Sequence, residues 1–280
     1  MRTRLLALDL DGTLLRHDGV VAPEDVDAIA EVRAAGVRVT IATGRIATGA
    51  LPTALRLDFD TTLVCAEGAV LVDPVSGAVL QHRPMHAAIT EGVTLAFDRH
   101  DLDAFWFLHD EIHGEHGGAD LLRYVETWSP QVTLHETLSC SAAWEAHRHH
   151  VTMAVGFGTR EAVHLARAAV TEAHGDELLA VTFPASRTED RWTLLTRSAR
   201  NDKATGLAQV AQELGITPRE VSVVGDWLND VPMFRWAGRS FAMGQSPNEV
   251  ASHATDRLRA TSREGGGVAE AIRALLDEAP

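Results

Sequence analysis

Leu5-Leu6-Ala7-Leu8-Asp9-Leu10-Asp11-Gly12-Thr13 is the stretch that decides the fold. Its apolar opening is too short for a helix and suits a buried strand, and it ends on a carboxylate. Residues two apart in an extended chain share a side, so Asp9 and Asp11 face one point beyond the strand's carboxyl end. Open α/β sheets place their ligands there. Two carboxylates so close repel and shift each other's proton affinity unless a cation neutralises them. Mg²⁺, a hard ion that takes oxygen ligands, suits the pair. One carboxylate can then act as nucleophile and the other as general acid/base. Asp11-Gly12 is also a hairpin-turn dipeptide, but a turn leaves Asp9 unexplained. A calcium-loop reading fails, because its sixth position would be Leu14 instead of Gly and its twelfth Val20 instead of Glu.

Outward from this strand, short apolar runs alternate with helical patterns, which predicts βαβ units and a parallel sheet. Helices are expected over 23–35, opened by Pro23 and closed by Gly36, and over 46–57. Strands are expected over 37–42 and 62–65, and a short hairpin turns at Asp73-Pro74-Val75-Ser76-Gly77. After Pro84 the character changes: histidines concentrate, and Trp106, Tyr124, Trp128 and Trp144 appear. The first pattern returns with a helix over 202–214, strands over 221–225 and 240–243, and a helix over 268–276. The expected architecture is therefore an α/β core over 1–82 and 191–280, split by an inserted α+β cap over 83–190.

Composition agrees with two domains: 280 residues against roughly 150 per domain. Apolar residues make up 45% and charged residues 23%, a globular balance. No apolar run approaches the ~20 residues of a membrane-spanning helix, and Asp9 interrupts any signal-peptide apolar region, so a cytoplasmic protein is expected. Cys65 and Cys140 are too few for a disulfide scaffold. A formal charge of −14 disfavours a nucleic-acid partner.

Three further segments carry candidate chemistry. Thr43-Gly44-Arg45 follows a strand and precedes a helix, where a hydroxyl and backbone N–H groups can hold phosphate oxygens. Lys203 is the only lysine among 25 basic residues, and it sits at a helix N-terminus, where the macrodipole favours anions over cations. Guanidinium is a flat fork and ammonium a compact point charge, so a lone lysine in an arginine-rich chain marks a position with its own requirement. Gly225-Asp226-Trp227-Leu228-Asn229-Asp230 follows another buried strand; its carboxylates and amide suit metal ligation and phosphate binding alike.

These pieces, in this order, resemble the haloacid dehalogenase-like (HAD) superfamily, and more narrowly its Cof-type phosphatases, which carry a cap after the third strand. The matching segments are Asp9 to Thr13, Thr43 to Arg45, Lys203 and Gly225 to Asp230. Ala242-Met243-Gly244 and the segment from Arg263 to Val268 are similar to later family signatures. The resemblance implies a Rossmann-like core and a Mg²⁺-dependent phosphatase of small phosphorylated metabolites, sugar or cofactor phosphates, working through an aspartyl-phosphate. It implies that Asp9 attacks phosphorus and Asp11 protonates the leaving alcohol. It also implies that Asp9, the Asp11 carbonyl and Asp226 hold Mg²⁺. Leu10, Thr43, Gly44, Arg45, Lys203 and Asn229 would hold the phosphoryl group or substrate, and Asp230 would orient Lys203 or the metal shell. Glu67 and Gln245 depart from the family's usual Asn, and Ala204 from its Gly. A phosphomutase or phosphotransferase using the same nucleophile, or a non-catalytic metal- and phosphate-binding regulator, are the alternatives.

In the insert, His109, His113 and His116 lack the Glu that a zincin helix needs beside its first histidine and are read as a polar cap face or a substrate-contacting loop. His147, His149 and His150 are read as a polar approach to a strand without a ligand role. Gly156-Phe157-Gly158 is read as a tight turn, and Trp106 and Trp128 as candidates for stacking on a sugar.

Overall fold

The leucine run forms a strand, Leu5–Leu8, in which every residue is buried. Burial on both faces is what a central parallel strand requires. Its parallel neighbours are Arg38–Ile41 on one side, with Leu8 opposite Ile41, and Val221–Gly225 on the other, with Leu8 opposite Val224. Arg239–Ala242 and Asp256–Arg257 continue the sheet to five strands. Leu63–Cys65 joins it through a parallel bridge from Ala42 to Val64 and turns back into Val70–Val72. In this computed structural model residues 3–136, 142–185 and 191–277 are described; Cys140 lies outside them.

Helices cover the sheet with the expected end signals. Pro23 occupies the first turn of Pro23–Ala34. Asp202 caps Lys203–Glu213 through a reciprocal pair of bonds with Thr205. Asp25, almost fully buried, accepts from the N–H groups of Gly266 and Ala269 at 3.0 and 2.7 Å and so ties the first helix to the start of Gly267–Asp277. None of the helices among the described residues is long and apolar enough to cross a membrane.

The chain divides into two compact units, one of Met1–Gly44, Ala50–Gln81 and Asp202–Pro280, the other of Arg45–Gly49 and His82–Asn201. The second holds a six-stranded sheet, antiparallel except where Ile112–Glu115 runs parallel to Val132–His135. Ala87–Arg99 and Arg160–His174 bury Val93, Phe97, Val163 and Val170 in one apolar cluster with Trp106 and Leu194 of the sheet.

Four expectations change here. Trp192–Ser198 pairs with Met153–Gly158 and Leu178–Pro184, so residues 191–201 belong to the insert and not to the core. Residues 45–49 belong to it as well. A run of alternating side chains specifies a strand but not its pairing partner, which tertiary packing decides. Gly156-Phe157-Gly158 lies inside a strand, not in a turn; a Cβ on Gly156 would sit 3.0–3.2 Å from Leu102 and Phe97. Trp106 is buried against Trp144, with ring centroids 5.2 Å apart, and offers no face to a sugar.

Candidate active site

The central strand stops at Leu8 and delivers Asp9 to the carboxyl edge of the sheet, where Asp9 N–H still donates to the Val224 carbonyl at 3.0 Å. One strand over, Val221–Gly225 delivers Asp226 to the same edge. Gly12, with φ +84°, makes this convergence possible. A Cβ there would lie 2.4 Å from Asp226 Oδ2, besides requiring a left-handed backbone. Gln245 closes the arrangement: its Nε2 donates to the Gly12 carbonyl at 2.6 Å and to Asp226 Oδ2 at 3.2 Å, while its Oε1 accepts from Ser262 N–H.

Lys203 projects from the first turn of its helix into the middle of this cluster and is completely buried. Its ammonium donates to Asp9 Oδ1 and to Asp230 Oδ1, each at 2.6 Å. Asp230 uses its other oxygen to accept from the N–H groups of Asp226 and Trp227, at 2.8 and 3.0 Å. It therefore fixes both the amine and the loop that carries Asp226.

The charges do not balance. Desolvation opposes the ammonium, yet the carboxylates of Asp230, Asp9 and Glu67 outweigh it and raise the Lys203 pKa. Asp9 is pushed well above the usual carboxylate range by burial, against the pull of Lys203 and with Asp230 and Asp226 adding repulsion. Burial and Asp230 likewise push Asp226 up to about 7. One buried ammonium among several carboxylates leaves excess negative charge, which a hard cation relieves. Carboxylate oxygens of Asp9, Asp226 and Asp230 lie within 4.8 Å of one another. An all-oxygen set with surplus negative charge fits a divalent metal ion.

A second group forms beside the first. After the Leu63–Cys65 strand the backbone enters the left-handed region at Ala66 (φ +48°) and Glu67 (φ +56°), a conformation that costs a non-glycine residue on the order of 1–3 kcal/mol. The turn aims the buried Glu67 carboxylate at the Thr43-Gly44 strand exit. Glu67 N–H donates to the Thr43 carbonyl at 3.0 Å, and a Cβ on Gly44 would lie 2.5 Å from Glu67 Oε1. That oxygen accepts from Asn229 Nδ2 at 2.8 Å, whereas Glu67 Oε2 is buried without a hydrogen-bond partner among the described residues.

Of the expected site residues, Asp9, Lys203, Asp226 and Asp230 come together directly. Thr43, Gly44 and Asn229 meet around Glu67. Leu10 is buried, its carbonyl accepting from the N–H groups of Thr13 and Leu15. Asp11 is exposed, and its charge reaches Asp226. Arg45 belongs to the second unit, where its Nη1 donates to the Gly49 carbonyl at 3.4 Å. Glu67 and Gln245, legible in the sequence only as departures from a family pattern, are both built into the site.

A parallel sheet that gathers carboxylates and one amine at its carboxyl edge, interrupted by an α+β insert, defines an α/β enzyme core. The chain belongs to the haloacid dehalogenase-like hydrolase family, whose sequence pattern matches residues 6–272. It is 27% identical over 259 residues to pyridoxal phosphate phosphatase of Escherichia coli K12, covering 91% of this chain and 92% of that protein. It is 26% identical over 275 residues to a 5-amino-6-(5-phospho-D-ribitylamino)uracil phosphatase of Bacillus subtilis 168, covering 96% and 94%. A solved haloacid dehalogenase-like hydrolase from Bacteroides thetaiotaomicron shares the fold, with a TM-score of 0.83 at 21% identity over 98% of this chain and 100% of that one.

Proposed function

We propose that this protein is a Mg²⁺-dependent phosphatase that hydrolyses small phosphorylated metabolites, sugar or cofactor phosphates, through an aspartyl-phosphate on Asp9. The observation that carries the reading is the Asp9–Lys203 contact at 2.6 Å inside a buried group of carboxylates. A structural ion pair has no use for a surplus of buried negative charge, whereas a site for a cation and a phosphate does. The named phosphatases among its relatives support the same class.

Lys203 holds Oδ1 of Asp9 and thereby fixes the direction of Oδ2, the attacking oxygen. As the Asp9–phosphorus bond forms, the bond from phosphorus to the substrate oxygen breaks, and exposed Asp11 supplies the proton to the departing alcohol. Asp11 then takes a proton from water as that water attacks phosphorus, which releases phosphate and restores Asp9. Thr43, Lys203, Asn229 and the N–H groups of Leu10 and Gly44 hold the phosphoryl oxygens. Asp9, the Asp11 carbonyl and Asp226 would hold Mg²⁺, with Asp230 in support through its bonds to Lys203 and the Asp226 loop. When bound, the ion supplies neutralisation of the phosphate and carboxylate charge. Free phosphate release from a panel of phosphorylated metabolites, with and without chelator, tests the proposal. Metal-dependent release from sugar or cofactor phosphates is expected. Transfer of the phosphoryl group to a second alcohol without release, or binding without turnover, would overturn it.

A further inference from the structure

The insert contains a second group of ligating side chains, far from the sheet edge in sequence and unlike it in chemistry. Glu111 and His113 are two apart on an extended chain and so share a face. Trp106 lies opposite His113 in the antiparallel register and shares that face too. The helix Ala142–His147 packs there, with Trp144 edge-on to Trp106 and His147 one turn further along. The His147 ring consequently stands 5.1 Å, centroid to centroid, from that of His113. Ligand atoms of Glu111, His113 and His147 all lie within 4.8 Å of one another.

His113 is only 6% exposed. Its Nδ1 is 2.9 Å from His135 Nε2, a hydrogen bond that leaves Nε2 as the atom turned toward the cluster. Nε2 has no hydrogen-bond partner among the described residues, although Glu111 Oε1 stands 3.0 Å away without hydrogen-bond alignment. A buried imidazole nitrogen with no partner is costly. A spacing near 3 Å between poorly aligned ligand atoms approximates the ~3.3 Å edge of a tetrahedral site with bonds of about 2.0–2.1 Å. Two imidazoles and one carboxylate form a borderline-soft donor set, unlike the all-oxygen set around Asp9.

We propose that Glu111, His113 and His147 bind a divalent transition-metal ion of the Zn²⁺ class within the insert, with His135 orienting His113 through its Nδ1. Such an ion joins the sheet to the helix Ala142–His147 and satisfies the orphaned nitrogen. His135 is a positioning residue whose loss weakens binding by ~10–100-fold.

The test is a Co²⁺ and Zn²⁺ titration of the whole chain, stripped with chelator and held in excess Mg²⁺ to occupy the acidic core site. The wild type is expected to bind one equivalent of Co²⁺ with the visible absorption of tetrahedral coordination, displaced by Zn²⁺. His147→Ala and Glu111→Gln, both at partly exposed positions and checked for intact fold by circular dichroism, should weaken that binding more than the ~100-fold ceiling of an outer-shell change. His149→Ala should leave it unchanged. Unaltered binding in both His147→Ala and Glu111→Gln, absorption lost in Asp226→Asn but kept in His147→Ala, or no tetrahedral band in the wild type would each overturn the proposal.

Discussion

The acidic cluster of the core and the histidines of the insert meet burial in opposite ways. The core buries fixed charge: Lys203 and Asp230 are wholly inaccessible, Asp9 nearly so, and their electrostatics favour adding a cation. The insert gathers imidazole rings instead. His82 stands 5.2 Å from His109 and 6.2 Å from His150, centroid to centroid, and burial together with these neighbours pushes its pKa down to about 4. Burial disfavours the charged form in both places. Carboxylates respond by holding protons or metal, imidazoles by giving protons up. The difference separates a core whose crowded carboxylates offer oxygen donors from an insert whose imidazoles offer nitrogen donors.

The sharpest way to break this contrast is to remove a core charge. Asp9→Asn keeps the shape of the side chain while deleting the proposed nucleophile, and kcat should fall by at least ~10⁴-fold with the fold intact by circular dichroism. Retained turnover would remove Asp9 from that role. Lys203→Met leaves buried carboxylates without their cation and should cost about 3–5 kcal/mol in denaturant unfolding. Arginine should not rescue it, because a fully buried site has no room for the larger fork.

Smaller effects follow from pH. Asp226 holds its proton to about 7 when folded, against an ordinary 3.8. The folded state therefore binds more protons between those values, and metal-free stability through this group falls as pH rises from about 4 to 7. Mg²⁺ binding relieves that loss, so the thermal shift on adding Mg²⁺ should grow from pH 5 to pH 8; a pH-independent shift would exclude Asp226 as a ligand. His82 has the opposite sign. Its folded pKa of about 4 lies below the ordinary 6.5, so its contribution is intact above about 6.5 and is lost as pH falls towards 4. His82→Phe should flatten the acid limb of the stability profile and leave the neutral limb unchanged. The smallest effect is expected of Glu67→Gln, which keeps the acceptor for Asn229 and removes one charge near Lys203. A decrease in KM of roughly tenfold or less, about 1.4 kcal/mol, with kcat little changed, would mark Glu67 as a tuning residue.

The core could be read from the chain because its signals are local. Leu5–Leu8 ending on Asp9, the Val221–Gly225 strand ending on Asp226, and a lysine alone at a helix start each carry meaning within a few residues. Glu67 and Gln245 were harder, because their roles depend on a left-handed turn and on a contact with Gly12 across 233 positions. In the insert, the strand Trp192–Ser198 has no local mark of its partners. His147 meets His113 only because Trp144 docks its helix on Trp106, and spacing along the chain cannot express that.

The proposed mechanism bonds phosphorus to Asp9 during turnover. Rapid quenching of the enzyme with a chromogenic aryl phosphate and Mg²⁺, followed by peptide mass spectrometry, reads this directly. One phosphoryl group on the peptide containing Asp9, absent in Asp9→Asn and in chelator, is the predicted result. Steady release of phosphate with no labelled peptide at any quench time, or label on another residue, would contradict it.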